Sequence, residues 1–179
     1  MVEVKFYDKV DDELLKFAVI IARSNGKWVF CKHKKRNTYE IPGGHRENGE
    51  AIIETARREL YEETGALDFS LTPVCVYSVT APDNFDGQET FGMLYYSDIR
   101  RFDEELHSEI EKIILTDELI GSWTYPLIQR WENDHNCEWR TDEWLKVSLA
   151  SLPAFAAMGN TMDTAGLSVD RIAGRVMEL

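Results

Sequence analysis

Apolar residues recur at two different periods along this chain, and the switches between them outline its elements. Leu15 to Ala22 is a nearly continuous run rich in Val and Ile, the pattern of a buried strand. It ends at Ser24-Asn25-Gly26-Lys27, and Asn-Gly between apolar runs is the strongest short hairpin signal, so Trp28 to Lys32 is expected to return as the partner strand. A short strand at Thr38 to Ile41 should lead into a tight turn at Gly43-Gly44. From Glu50 to Thr64 the period becomes helical: Ile52, Ala56 and Leu60 fall on one face, and Gly65 stands where a C-terminal cap belongs. Leu71 to Thr80 and Glu89 to Tyr96 alternate as partner strands around a loop, Ala81 to Gln88. Asp103 to Lys112 is acidic and compatible with a helix, and Tyr125 to Asn133 is expected to form a second one. Ser168 to Leu179 has the pattern of a capped helix, with Val169, Ile172, Val176 and Met177 on a stripe suited to packing on the domain or, alternatively, to a homodimer contact. The order predicts an α/β protein of the α+β type, with a mixed sheet and helices packed against it.

Composition bounds this picture. A chain of 179 residues suits one domain with a sizeable core plus an appendage. We place the domain at 1–137 and a C-terminal extension, helical and without assigned function, at 138–179. A net charge of −12 argues against a partner that is a nucleic-acid backbone, which calls for a basic stripe. It does not exclude a small polyphosphate, because a bound cation inverts the local sign. Cys31, Cys75 and Cys137 are widely spaced, without metal-type pairing, and are expected as reduced thiols, the first two facing the core. Met1 to Asp12 is polar and no apolar run approaches the length of a membrane span, so the expectation is a cytoplasmic protein without a membrane partner.

The chemistry concentrates between Gly44 and Ala66. Residues three and four apart are neighbours on a helix, so Glu59, Glu62 and Glu63 share a face and repel each other. Arg58 can neutralise about one, pairing with Glu54 or Glu62. An acidic helix face of this kind is either solvated surface or a site for a hard divalent cation bound through oxygen. A double-glycine segment beside it, able to deliver backbone oxygens, and the apolar stripe on another face favour the metal.

The segment resembles the Nudix box, G-x5-E-x7-R-E-U-x-E-E-x-G-U with U a bulky aliphatic. Gly44, Glu50, Arg58, Glu59, Leu60, Glu62, Glu63 and Gly65 fall in register, and Ala66 stands where the last bulky residue should be. The resemblance covers roughly residues 14 to 135 and implies an α/β/α sandwich and hydrolysis of a nucleoside diphosphate linked to a group X. It implies Mg²⁺, with Mn²⁺ as substitute, held by Glu62, Glu63, Glu59 and the Gly43 carbonyl, with Arg58 holding the glutamates. Glu50 and Gly65 are then auxiliary or structural. The general base is Glu59 in some relatives and lies on a later acidic loop in others; Glu109, within Asp103 to Glu111, is the candidate here.

The substrate is less legible. Lys32, Lys34, Lys35 and Arg36 form the chain's one basic run, a solvated loop or a capture site for phosphates beside the glycines. Gly44, Tyr39, Lys34 and Arg36 are the substrate-binding candidates; Phe85, Phe91 and Tyr95 could also stack on a base. Trp123-Thr124-Tyr125-Pro126 resembles a segment of bacterial nucleotide-type relatives, the 8-oxo-dGTP diphosphatase type. It points to a small-molecule (deoxy)nucleoside triphosphate, oxidised purine nucleotides included. ADP-ribose or another nucleotide sugar is the alternative, and a non-catalytic nucleotide-sensing module is the alternative from another class.

Overall fold

The computed structural model describes residues 3–80, 87–106 and 108–117. These form β1 (Glu3–Tyr7), a single 3-10 turn at Asp12–Leu14, β2 (Leu15–Ser24), β3 (Lys27–His33), β4 (Gly43–His45), α1 (Ile52–Thr64), β5 (Ala66–Phe69), β6 (Thr72–Thr80), β7 (Thr90–Phe102) and β8 (Ile110–Thr116). The strands make one mixed sheet in the order β1-β6-β7-β2-β3-β8, with β4 added on β2 and β5 on β7. Asn25 and Gly26 both take positive φ, 51° and 78°, as the β2–β3 hairpin requires. β2 runs parallel to β7 while β3 and β6 pair antiparallel with their neighbours. Such a central strand is shielded on both sides, which explains its unbroken apolar run.

Alternation on β2 sends Ala18, Ile20 and Ala22 to one face, where they pack with Val29, Val76, Tyr95 and Ile99 under Ile52, Ala56 and Leu60 of α1. The apolar stripe of the helix is thus the part that docks it. Ala66, at the position where the motif favours a bulky side chain, is buried, while Leu67 is exposed. Cys31 and Cys75 are buried free thiols, as expected.

Four expectations are corrected. Thr38 to Ile41 forms no strand; it has bridge residues at Tyr39 and Glu40, the latter pairing with Cys31. Gly43-Gly44 is not a turn; it is the body of β4. The described residues of Asp103 to Lys112 are not helical: irregular backbone precedes β8, which fills the open edge of β3 and buries Ile110. A sheet edge with unpaired backbone groups captures this segment, and local periodicity cannot see that edge. Finally, α1 begins at Ile52 and not at Glu50. The second-helix, C-terminal-helix, Cys137, Phe85 and Trp123 to Pro126 expectations lie outside the described residues. Among the described residues no helix is long and apolar enough to cross a membrane.

Candidate active site

Burial of one side of α1 leaves Arg58, Glu59, Glu62 and Glu63 along flanks that meet β3, β4 and the loop before β8. Ala51 caps the helix without a side-chain oxygen, so Glu54 reaches back and its Oε2 accepts the Ala51 N–H at 2.9 Å. Glu50, lying before the helix, has a different task. Its carboxylate accepts from Arg58 Nε at 2.7 Å and Nη2 at 3.1 Å, from Thr55 Oγ1 at 2.8 Å and from the Glu47 N–H at 3.1 Å. These bonds, those from Arg58 above all, hold its carboxyl down at about 2.

Helical spacing alone pairs Arg58 with Glu54 or Glu62. The structure gives it Glu50, Glu59 and Glu62 together: Nη1 donates to Glu59 Oε1 at 2.8 Å and to Glu62 Oε2 at 3.3 Å, and Nη2 reaches the His45 carbonyl at 2.9 Å. The extra partner arrives from a loop, which is why spacing on the helix misses it. Arg46 fixes that loop, donating to the Glu50 carbonyl at 2.6 Å and to the Leu15 carbonyl at 3.3 Å.

The two glycines serve close approach. Gly43 and Gly44 pair with Val19 and Ala18 of β2. A Cβ on Gly43 would lie 2.7 Å from the Ala18 carbonyl oxygen; one on Gly44 would lie 2.1 Å from Glu59 Oε1. The obstacles differ in kind, backbone in the first case and a functional side chain in the second. We therefore expect Gly43→Ala to cost about 1–3 kcal/mol of stability by overpacking. Gly44→Ala should instead lower turnover by about 10-fold or more by displacing Glu59. Thermal melts and steady-state rates on both variants check this, and unchanged turnover in Gly44→Ala would remove Glu59 from the site.

Glu63 leans away from Arg58. Its Oε2 accepts the Gly43 N–H at 2.9 Å, and Cys31 Sγ lies 3.8 Å from it and 3.3 Å from the Glu40 carbonyl. Among the described residues no Lys or Arg pairs with this carboxylate. Burial pushes it up to about 8, and the charges of Glu59 and Glu40 add to the effect. Burial raises Glu59 as well, against the pull of Arg58.

The acidic stretch folds onto the end of α1. Gly65 takes the left-handed conformation at φ 72° and its N–H closes the helix on the Tyr61 carbonyl. Asp103 N–H then donates to the Gly65 carbonyl at 2.7 Å, and Ser108 Oγ to the Glu62 carbonyl at 2.9 Å. Glu109 follows, 73% exposed, its Oε1 3.9 Å from His33 Nε2. Lys34 Nζ donates to the Ser108 carbonyl at 2.8 Å and Arg36 Nη1 to Glu40 Oε2 at 2.7 Å, so both candidates for phosphate capture are already engaged. Lys32 pairs with Glu111. Tyr39 is half-buried with Lys112 Nζ 5.9 Å above its ring. Tyr95 belongs to the core, and Phe91 packs on Tyr7 at 5.5 Å.

Cys31, Glu40, Arg46 and Ser108 are neighbours of the site that motif reading passes over. Alternation along β3, which turns Val29 toward α1, turns Cys31 the same way and was available as a signal. Nothing in the composition around Ser108 marks it.

Among the described residues no three His, Cys, Asp or Glu side chains are gathered into a ready metal cluster. Arg58 draws Glu59 and Glu62 to itself while Glu63 leans toward Gly43. The donor chemistry nevertheless fits a hard divalent cation: the acidic groups gathered along α1 are carboxylates, and one of them is sunk in protein without a described positive partner.

This constellation on a mixed sheet defines a family. The family model for the NUDIX domain matches residues 13–132, and the chain belongs to that family. A Bacillus subtilis (strain 168) protein, YtkD, provisionally named as an 8-oxo-dGTP diphosphatase, is 33% identical over 104 residues, 58% of this chain and 63% of its own length. The chain thus spans less than two thirds of that relative. The crystal structure of a variant of the Bacillus subtilis pyrophosphohydrolase BsRppH matches with a TM-score of 0.60 at 27% identity, covering 84% of this chain and 89% of that one.

Proposed function

We propose that this protein is a Mg²⁺-dependent pyrophosphohydrolase of (deoxy)nucleoside triphosphates, including oxidised purine nucleotides, releasing the nucleoside monophosphate and pyrophosphate. The observation that carries it is the buried Glu63 carboxylate, uncompensated by any described cation and set beside Glu59 where Gly44 has cleared the space. Family membership and the names of the two relatives support the hydrolytic reading, and the name of the YtkD relative supports the substrate class.

Glu59, Glu62 and Glu63, with the Gly43 carbonyl, would hold the cation. When bound, it supplies Lewis acidity toward phosphoryl oxygens at a site otherwise hostile to an anionic substrate. Arg58 fixes the carboxylates against one another through charge-assisted bonds, and Glu50 anchors Arg58. Glu109 is the residue we assign to take the proton from the attacking water. Glu59, the other candidate, is tied to Arg58, whereas Glu109 projects into solvent from the loop fastened to α1. Lys34 and Arg36 could meet phosphates only by exchanging the Ser108 carbonyl and Glu40 for them. Residues 138–179 are proposed as an extension distinct from the catalytic domain at 1–137.

A panel assay with and without Mg²⁺ tests the proposal, spanning nucleoside triphosphates, oxidised purine nucleotides, ADP-ribose and dinucleoside polyphosphates. Mg²⁺-dependent release of pyrophosphate with a monophosphate is the expected result. AMP with a sugar phosphate would replace the substrate class by nucleotide sugars. Metal binding without turnover of any member would favour a sensing module.

A further inference from the structure

Two non-glycine residues among those described have positive φ, Asn25 at 51° and Ser108 at 89°. Asparagine in a hairpin accepts that region readily; serine at 89° is held there by its surroundings, and backbone strain of this kind accumulates where geometry serves a function. Three bonds hold it. Ser108 Oγ donates to the Glu62 carbonyl at 2.9 Å, one of the last carbonyls of α1, which the helix itself leaves without a partner. Lys34 Nζ donates to the Ser108 carbonyl and the Lys34 N–H to the Glu109 carbonyl, each at 2.8 Å. The backbone on both sides of the Ser108–Glu109 link is therefore fastened, on one side to the helix that carries Glu62 and on the other to the end of β3.

The Glu109 side chain has its own neighbour. His33 Nδ1 accepts the Lys35 N–H at 3.1 Å, so the neutral ring carries its proton on Nε2, the nitrogen that faces Glu109 Oε1 at 3.9 Å. At 3.9 Å the two are neighbours without a direct hydrogen bond.

We infer that Ser108 is a positioning residue: its left-handed backbone, pinned to α1 and to Lys34, fixes where Glu109 leaves the loop. The inference rests on the reading of Glu109 as the proton acceptor. A hydroxyl that merely satisfies a helix end would stabilise the fold without acting through Glu109, and a double-mutant cycle separates the two roles.

The cycle uses the full chain with Mg²⁺ and the nucleoside triphosphate it turns over fastest, in wild type, Ser108→Ala, Glu109→Gln and the double variant. Ser108→Ala should lower kcat by about 10-fold with KM within about 2-fold, because a misplaced base costs rate and not binding. The double variant should be no slower than Glu109→Gln alone. If the two losses multiply, Ser108 acts independently of Glu109 and the inference falls. Should Ser108→Ala fail to fold, Ser108→Gly, which relieves the strain while still losing the hydroxyl, takes its place in the cycle. A wild-type rate in Glu109→Gln would overturn the base assignment and this inference with it. A slow Glu109→Gln beside wild-type rates in both Ser108 variants would overturn the inference alone.

Discussion

Glu63→Gln should lower kcat by about 10²-fold or more while leaving the melting temperature, measured without metal, unchanged or higher. The two halves of this expectation have one cause. The Glu63 carboxylate is surrounded by protein, accepts one backbone N–H from Gly43 and is pushed up to about 8 by burial. At pH above the ordinary carboxylate range, keeping this group there weakens the metal-free fold, whether it takes up a proton or stays an unpaired anion. Glutamine keeps the shape and can still accept from Gly43, but removes the charge that a cation would need. Activity and stability then move in opposite directions, the signature of a group retained for function. Parallel rate measurements with Mg²⁺ and thermal melts in chelator decide it. A variant as active as wild type would refute the assignment of Glu63 as a ligand; a variant that melts well below it would show that the carboxylate is structurally satisfied in a way the Gly43 bond does not convey.

Arg58→Ala should damage both properties. Arg58 is the common partner of Glu50, Glu59 and Glu62 and also reaches the His45 carbonyl. Its removal leaves mutually repelling carboxylates between α1 and the loop before it. Breaking a buried ion pair costs ~3–5 kcal/mol; with the Arg58 side chain 22% exposed, we expect a smaller loss of about 2–3 kcal/mol. For a chain of this size that corresponds to about 5–10 °C in Tm. Turnover should fall by about 10²-fold, because Glu59 and Glu62 lose the fork that orients them. Mg²⁺ should raise the melting temperature of Arg58→Ala more than that of wild type, since the cation then takes over part of the neutralisation. Equal Mg²⁺ shifts in both proteins would mean that metal and Arg58 do not share these carboxylates. Arg58→Lys should recover little activity, because a single ammonium cannot span the partners a planar guanidinium reaches.

Much of this is legible in the amino-acid sequence. The Asn25-Gly26 hairpin, the buried β2, the docking stripe of α1 and the cap at Gly65 follow from rules acting within a few residues. The box positions around them were legible for the same reason, since a motif records spacing along one helix. What sequence reading mistook were features set by distant partners. Gly43 and Gly44 look like a turn from their composition, yet the requirement they meet comes from Ala18 and Glu59 across space. The acids from Asp103 onward look helical, yet the open edge of β3 makes Ile110–Thr116 a strand. The basic run looks like a free phosphate trap until its neighbours are placed, when Lys32 meets Glu111, Lys34 the Ser108 carbonyl and Arg36 Glu40.

The sequence by itself determined that a helix would carry Arg58, Glu59, Glu62 and Glu63 with its apolar side turned inward, because helical period and side-chain chemistry are local properties. Only the tertiary structure decided how those charges divide, with Glu50 coming from a loop to anchor Arg58 and Glu63 sinking beside Gly43 and Cys31. It alone placed Ser108 in a left-handed conformation against the helix end. Desolvation, close approach and strain depend on what the rest of the chain packs around a residue, and no spacing along the chain encodes that.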